Sequence, residues 1–274
     1  MSILVTGARG AVARGLTTLL TARGVPHRLG SRAPDTPGTV HCDLGDPETF
    51  PAALEGIRSV FLYADASRIE DFVAEAVTAG VEHVVLLSSS SVLAPGASDS
   101  PLAASHLAVE QALSASPLRT TLLRPGAFAS NALGWARSLR AGRPVRLPYR
   151  GAHTDPVHER DLAEAAFAVL TDRAHTGRAY TLTGPQSLTF AAQLAVVGEV
   201  LGRPTAFEPV SAEEWKAEAD GRIPGPYADA LLDFWAASAD GSPAAVTGAV
   251  ERLTGHPART FEEWVRDHAG AFAV

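Results

Sequence analysis

One short stretch near the start of the chain decides the fold: Ile3-Leu4-Val5-Thr6-Gly7-Ala8-Arg9-Gly10-Ala11-Val12-Ala13. In it an apolar strand leads directly into two glycines, and a segment with helical periodicity follows. Glycines at this spacing let the backbone turn tightly and approach a pyrophosphate, whose charge then lies at the N-terminus of the next helix. Ala13 takes the third small position and still permits close packing of helix on strand. The stretch therefore predicts a dinucleotide-binding βαβ unit.

Beyond this loop, short apolar runs alternate with helical segments of roughly 10 to 15 residues, a pattern typical of a parallel sheet. We expect an α/β fold: a doubly wound parallel-sheet Rossmann domain with a smaller, mainly helical C-terminal substrate lobe. The Rossmann domain is expected at 1–125 with parts of 152–204, and the substrate lobe at 126–151 and 205–274. Residues 142–151 are expected to form a loop over a site. The predicted strands are 3–5, 27–29, 39–42, 59–63, 81–87, 120–123 and 179–182, and the predicted helices are 10–23, 67–79, 103–114, 131–141, 160–170 and 190–201.

The composition excludes several classes of protein. A formal net charge of −7 argues against a nucleic-acid-binding surface, which needs clustered positive charge. Cys42 is the only cysteine, which excludes a disulfide framework and a cysteine metal cluster. No stretch approaches the roughly 18 apolar residues of a membrane span, and the first residues do not look like a signal peptide. We expect a cytoplasmic protein that binds a small-molecule substrate, with no nucleic-acid or membrane partner.

The end of the second predicted strand indicates which dinucleotide binds. An NAD site usually offers a carboxylate there, whereas the 2′-phosphate of NADP(H) needs a cation. Here Ser31 and Arg32 end the strand and Asp35 is the first acid, beyond a proline. Arg9, inside the glycine loop, is placed to assist. These residues favour NADP(H), with Asp43 as a contact of the adenine amino group. The predicted cofactor-binding residues are Gly7, Arg9, Gly10, Ala11, Val12, Ser31, Arg32, Asp43, Leu44, Ala64 and Ser88.

Seven segments of the sequence, in this order, match a known protein family: 4–10, 30–34, 42–44, 84–91, 106–113, 122–131 and 155–165. Over them the chain resembles the short-chain dehydrogenase/reductase superfamily, specifically its atypical NmrA-like branch. The run Leu-Leu-Arg-Pro-Gly-Ala-Phe-Ala-Ser-Asn at 122–131 is characteristic, and the tail from residue 205 matches loosely. The resemblance implies an NADPH-dependent reductase of a quinone, ketone or enone. The family also contains NADP-sensing proteins with no known catalysis.

The usual catalytic device of that superfamily is absent from this sequence. The device is Tyr-x-x-x-Lys, in which the tyrosine protonates the carbonyl oxygen and the lysine lowers the tyrosine pKa. None of the four tyrosines has a lysine four residues on, and Lys216 is the only lysine. Aligned with the family, Leu102 stands at the tyrosine position and His106 at the lysine position. A different proton source is therefore expected.

Three residues are the predicted catalytic set: His106, Ser90 and Glu110. Several NmrA-like reductases show His-x-x-x-Glu here, and at this spacing both side chains share one helical face, so Glu110 is expected to orient His106. Ser90 matches the family's substrate-facing serine. Hydride transfer needs geometry, a proton source and a hydrogen bond to the developing oxyanion, which His106, Ser90 or water would supply. The alternatives are helix packing for Glu110, and a ribose contact or a surface position for His106.

The second lobe offers further polar and aromatic candidates. Phe128, Asn131 and Trp135 lie in and just after the family run that meets nicotinamide and substrate. With Tyr149 they are the predicted substrate-binding residues, and ordinary packing is the alternative. Residues 149–158 hold two histidines and an aspartate, but their spacing fits no common ligand pattern. We expect a structural loop there and no metal site.

Two other functions stay open beside the reductase. The missing tyrosine and lysine favour an NADP(H)-sensing or scaffold protein, which would bind cofactor without turnover. A non-redox enzyme would use His106 and Glu110 as acid and base in a cyclisation, dehydration or epimerisation, with no consumption of NADPH. A homo-oligomer is compatible with the sequence, because helical surfaces of this family pair in several ways.

Overall fold

The computed structural model describes residues 2–34 and 38–273 and divides into two compact units. The first unit comprises Met1–Pro125, Glu159–Leu182 and Ala249–Gly255, and the second comprises Gly126–His158, Thr183–Gly248 and His256–Val274. The chain first leaves the first unit after Pro125. Residues 249–255 are expected in the substrate lobe but lie in the first unit, where their helix packs on the helix Glu159–Thr171.

Strands and helices are numbered along the chain. The strands are β1 (Ile3–Val5), β2 (His27–Ser31), β3 (Thr39–His41), β4 (Ser59–Tyr63), β5 (His83–Leu87), β6 (Arg119–Pro125), β7 (Val145–Leu147), β8 (His153–Thr154), β9 (Ala179–Leu182), β10 (Leu188–Thr189) and β11 (Phe207–Pro209). The helices are α1 (Ala11–Ala22), α2 (Phe50–Leu54), α3 (Ile69–Thr78), α4 (Ala104–Ser114), α5 (Ala136–Arg140), α6 (Glu159–Thr171), α7 (Phe190–Leu201), α8 (Ala212–Ala219), α9 (Gly225–Ala237), α10 (Ala249–Thr254), α11 (Phe261–Asp267) and α12 (Ala269–Phe272). Within the described residues, no helix has the length and apolar character that crossing a bilayer requires.

The first unit is built on a parallel sheet with the strand order β3-β2-β1-β4-β5-β6-β9. Its first six strands follow the doubly wound order of a Rossmann fold, and β9 extends the edge beside β6. The order reverses between β1 and β4, and ligands of such sheets bind at the carboxyl ends of the strands on either side of that reversal. The predicted fold class is confirmed.

Helices cover both faces of this sheet, which explains why all five residues of β5 are buried. On one face, α2 and α3 pack Phe50 edge-to-face on Phe72, with ring centroids 5.3 Å apart. In the other helix layer α1 packs on α6, and a Cβ on Gly15 would lie only 2.8 Å from the Cβ of Ala163. Gly15 therefore allows the close approach of two helices.

The second unit is mainly helical around an aromatic core. Trp235 packs edge-to-face on Phe190 and Trp215, with centroids 5.3 and 4.9 Å apart, and Trp264 is fully buried. Two small pairs of strands, β8 with β10 and β7 with β11, lie within it. The predicted helix 131–141 is a 3-10 turn, Ala129–Trp135, followed by α5. Gly134, a poor helix former, stands just before the change. The segment 142–151, expected as a loop, includes β7.

Candidate cofactor site and active site

The glycine loop lies at the carboxyl ends of β1 and β4, where the strand order reverses. The Thr6 hydroxyl donates to the Phe61 carbonyl and accepts from the Tyr63 N–H, both at 3.0 Å, which fixes the two strand ends together. Gly7 adopts φ +62°, a left-handed conformation that favours glycine, and the Gly10 N–H closes the turn on the Gly7 carbonyl at 2.8 Å. Helix α1 then begins at Ala11, and its N-cap residue Gly10 has no side chain to cap the first amides.

The ring of Tyr63 packs directly against this loop. A Cβ on Gly7 would lie 2.6 Å from Cδ2 of Tyr63, and one on Gly10 would lie 2.9 Å from Cζ and overlap the hydroxyl. Burial raises the pKa of Tyr63, against the lowering effects of the Ala13 backbone amide and the Arg14 charge. The hydroxyl is thus a neutral group at the start of α1.

These features fit a dinucleotide. Two glycines where a Cβ would clash, a helix whose N-cap residue has no side chain, and a position at the reversal of strand order are together the features that a pyrophosphate site requires. The predicted residues Gly7, Gly10, Ala11 and Val12 form the loop and the first helical residues of this cradle.

The residues predicted to select the 2′-phosphate meet at one corner of the first unit. Arg9 donates from Nη2 to the Ala33 carbonyl at 2.8 Å, which brings the glycine loop to the end of β2. The Ser31 hydroxyl donates to the same carbonyl and accepts from the Ala33 N–H, at 3.1 and 3.2 Å. Arg32 is exposed beside them. Asp35, which entered the sequence argument, lies outside the described residues.

The other predicted cofactor residues follow neighbouring strands. Asp43 comes just after β3, and its Oδ1 accepts from the Gly45 N–H at 3.0 Å, so this carboxylate shapes the turn. Leu44 and Ala64 are half-buried, and Ala64 directly follows β4. Their contacts with a cofactor stay predictions.

Glu110 forms a buried network that the sequence analysis did not foresee. Its Oε1 accepts from the Ser88 hydroxyl at 2.6 Å and from Nε of Arg124 at 2.9 Å, and its Oε2 accepts from Nη2 of Arg124 at 2.5 Å. The side chains of Glu110 and Arg124 are only 7% and 19% exposed. A guanidinium binds a carboxylate with two parallel, charge-assisted bonds, which a neutral imidazole cannot match. The expectation that Glu110 orients His106 by a direct contact is therefore wrong for the described residues, where Glu110 binds Arg124 and Ser88.

This network also changes the interpretation of Ser88. Ser88 is predicted as a cofactor contact, yet its side chain is buried and its hydroxyl donates a hydrogen bond to Glu110. The sequence does show Arg124, in the run Leu-Arg-Pro, but the periodicity of the sequence does not reveal that Glu110 is its partner.

His106 presents a buried nitrogen without a partner. Within the described part of the chain its Nδ1 has no hydrogen-bond partner and is shielded from solvent. Burial lowers the pKa of His106, and the negative charge of Glu110 partly opposes the shift. The imidazole is therefore neutral at neutral pH, with one donor and one acceptor nitrogen. A buried polar atom left unpaired is costly, so the site suits a ligand that would pair it.

Ser90 begins a 3-10 turn directly after β5. Its neighbour Ser89 caps this turn by accepting from the Ser91 N–H at 3.2 Å, and the Ser91 hydroxyl donates to Ser89 at 2.8 Å. Ser90 is half-buried at the carboxyl end of a central strand. Ligands of such sheets bind at the carboxyl ends of the strands, and a contact between Ser90 and a substrate stays a prediction.

The four predicted substrate residues lie in the second unit and differ in environment. Phe128 forms an isolated parallel β-bridge with Val157 through the backbone, and Asn131 is exposed. Trp135 is 9% exposed and packs edge-to-face on Phe190, so it belongs to the core. Tyr149 has φ +50°, in the left-handed region that non-glycine residues rarely adopt.

The polar residues between 149 and 158 bind different partners. Nδ1 of His153 pairs with the Ser187 hydroxyl at 3.0 Å, and Nε2 of His158 lies 3.4 Å from Oδ2 of Asp267. Asp155 accepts from the Ala127 N–H at 3.0 Å, and burial raises the pKa of its carboxyl to about 6.

Comparison with known proteins agrees with this geometry. The model of a family described as NAD(P)H-binding matches residues 7–173. The chain belongs to this NAD(P)H-binding family. It is 38% identical to the (4-alkanoyl-5-oxo-2,5-dihydrofuran-3-yl)methyl phosphate reductase of Streptomyces griseus subsp. griseus, over 99% of both chains. It is also 32% identical to the NAD(P)H azoreductase of Xenophilus azovorans, over 99% of both chains.

Solved structures show the same fold. The NADPH-dependent quinone oxidoreductase of Escherichia coli is 25% identical, covers 98% of this chain and 99% of its own, and superposes with a TM-score of 0.81. A triphenylmethane reductase of Citrobacter sp. superposes with a TM-score of 0.82 at 23% identity, over 99% of both chains. The protein is an NAD(P)H-dependent oxidoreductase of the atypical short-chain dehydrogenase/reductase, NmrA-like group, and the predictions of family and enzyme class are confirmed.

Proposed function

We propose that this oxidoreductase uses NADPH to reduce an electron-poor carbon–carbon double bond conjugated to carbonyl groups. The substrate class is a butenolide that carries an acyl group and a phosphate ester. The observation that carries the proposal is the 38% identity, over 99% of both chains, to a reductase named for such a compound. An enone is one of the acceptors that the sequence predicts.

The chemistry of this acceptor explains why the chain manages without a tyrosine–lysine pair. Reduction of a simple ketone places charge on one alkoxide oxygen, which needs a strong acid nearby. Bound NADPH would supply the hydride, which adds to the ring carbon β to the lactone and acyl carbonyls. The electron pair of the double bond then forms an enolate shared by two carbonyl oxygens. Such an enolate is a weak base, so a hydrogen-bond donor stabilises it and water completes the protonation at the α carbon.

His106 and Ser90 have separate roles in this proposal. The unpaired Nδ1 of His106 accepts from a ribose hydroxyl of the cofactor, which is the ribose contact that the sequence leaves open for this residue. The Ser90 hydroxyl donates to a carbonyl oxygen as charge develops there. Glu110 acts on His106 through its charge, while its hydrogen bonds hold Arg124 and Ser88.

The preference for NADPH over NADH rests on one corner of the first unit. Arg9 and Ser31 both contact the Ala33 carbonyl, and exposed Arg32 follows Ser31. Two guanidinium groups and a hydroxyl would thus surround a 2′-phosphate. Arg32→Ala is expected to weaken NADPH binding about tenfold, as for the loss of a charge-assisted bond, and to leave NADH binding nearly unchanged. Equal effects on both cofactors would contradict this assignment.

A second candidate acceptor is an aromatic azo compound. The relative from Xenophilus azovorans, 32% identical over 99% of both chains, is named an NAD(P)H azoreductase. An azo bond, like a conjugated enone, accepts a hydride without forming an alkoxide. The kcat/KM for the two acceptors, measured on one preparation, ranks them.

The test of the proposal is NADPH oxidation, followed at the nicotinamide absorbance, with an acyl butenolide phosphate, its dephosphorylated form, a quinone and an azo dye. We expect the phosphorylated butenolide to give the highest kcat/KM. Equal rates with and without the phosphate would remove the ester from the proposal. Product formation without NADPH consumption would identify a non-redox enzyme. A cytoplasmic location and a homo-oligomer stay predictions.

A further inference from the structure

We infer that Tyr63 is a diphosphate-binding residue: its hydroxyl donates a hydrogen bond to the pyrophosphate of the bound cofactor and helps to position it. The inference concerns the NAD(P)H site of the first unit and does not depend on which substrate is reduced. It rests on the placement of the ring, on the groups around the hydroxyl and on the charge at the N-terminus of α1.

The placement of the ring is the first step. Tyr63 is the last residue of β4, at the reversal of strand order, and its N–H is fixed to the Thr6 hydroxyl at 3.0 Å. The ring packs edge-to-face on Phe61, with centroids 5.6 Å apart, and lies against the positions where Gly7 and Gly10 lack a Cβ. The second glycine of such a loop leaves room for the approach of a pyrophosphate. The Tyr63 hydroxyl lies directly against Gly10, where a Cβ would overlap it.

The second step concerns the hydrogen bonds of the hydroxyl. The first amides of a helix have no partner within it, and Gly10 caps α1 with no side-chain oxygen. The Ala13 backbone amide lies close enough to the Tyr63 oxygen to lower its pKa. An oxygen that accepts from Ala13 presents its own proton in another direction. Within residues 2–34 and 38–273, no hydrogen bond donated by this hydroxyl is formed.

The third step concerns charge. Burial raises the pKa of Tyr63, so the phenol keeps its proton at neutral pH. A neutral phenol donates to a diphosphate, whereas a phenolate would repel it. Arg14 lies near enough to act on the hydroxyl through its charge, and the N-terminus of α1 carries a partial positive charge. The surroundings of the hydroxyl therefore favour a bound anion.

The experiment compares Tyr63→Phe with the wild-type protein by calorimetric titration with NADPH and, separately, with adenosine 2′-monophosphate. The second probe carries the 2′-phosphate and lacks the diphosphate. Phe keeps the ring on Gly7 and Gly10, so the variant is expected to fold. Loss of a hydrogen bond to a charged group predicts about tenfold weaker NADPH binding and unchanged binding of the monophosphate. Tyr180→Phe is the matched control. Tyr180 lies on β9, at the far edge of the sheet, and its hydroxyl pairs with Nδ1 of His175 at 2.7 Å.

Each other outcome overturns the inference. Unchanged NADPH binding would show that the hydroxyl does not contact the diphosphate. Equal weakening of both probes, with a lower unfolding midpoint, would show that the residue only supports the loop. Tighter NADPH binding would show that the hydroxyl blocks the cradle. Phosphorus NMR of bound NADP⁺ gives a second readout. The diphosphate resonances differ between the wild type and Tyr63→Phe if the contact exists, and are the same if it is absent.

Discussion

Replacing Glu110 by glutamine tests whether this residue serves the fold or the chemistry. The carboxylate holds Arg124 through two bonds, at 2.9 and 2.5 Å, and Ser88 through a third at 2.6 Å. Glutamine keeps the shape and removes the charge, which leaves the guanidinium of Arg124 buried without a counter-charge. Removing one partner of a fully buried pair costs about 3–5 kcal/mol. Arg124 is 19% exposed, so water screens part of its charge, and we expect a loss of about 2–3 kcal/mol.

Thermal unfolding of wild type, Glu110→Gln and the double variant Glu110→Leu/Arg124→Leu measures this cost. For a chain of this size 1 kcal/mol corresponds to roughly 2–4 °C, so the single variant should unfold about 5–10 °C lower. The double variant should recover most of the loss, because no charge is left unpaired. An unchanged midpoint in Glu110→Gln would show that the buried pair does not stabilise the fold. If only kcat fell, Glu110 would act in the chemistry instead.

Three further predictions concern buried titratable groups. The pKa of Asp155 rises from 3.8 to about 6 in the fold, so stability should decrease by up to about 3 kcal/mol as pH rises through that range. Urea titrations of Asp155→Asn should lack this decrease. The pKa of His83, which pairs with Thr121 at 2.8 Å, falls from 6.5 to about 4. Stability should therefore fall by up to about 3 kcal/mol as pH drops through that window, and parallel urea curves for wild type and His83→Gln would contradict this. Burial raises the pKa of Cys42 to about 11, so a thiol reagent at about pH 8 should label it in denaturant only, and rapid labelling of the native protein would disprove its burial.

The fold could be predicted in detail where local pattern decides it. The bounds of β4, β9 and α7 agree with the sequence, because apolar runs and helical periodicity specify such elements directly. The short pairs β7–β11 and β8–β10 could not be predicted. They have two or three residues each and join distant segments, which periodicity does not report.

The site could be predicted in part. Glycines and arginines at fixed offsets from a strand predict a cofactor loop and a corner for the 2′-phosphate, because those roles depend on local backbone geometry. The partner of Glu110 comes from the next strand, so helical spacing suggested His106 instead of Arg124. Tyr63 ends a strand that becomes the neighbour of β1 only in the folded sheet. Its position against the glycine loop is a consequence of topology.

The fate of a deuteride shows whether bound NADPH reduces the double bond of the substrate. NADPH deuterated at C4 of the nicotinamide, on each face in turn, is incubated with the protein and an acyl butenolide phosphate, and the product is analysed by mass spectrometry and NMR. The account predicts one deuterium, from one face only, at the ring carbon β to the two carbonyls, and solvent hydrogen at the α carbon. A turned-over product without deuterium at the β carbon would contradict it.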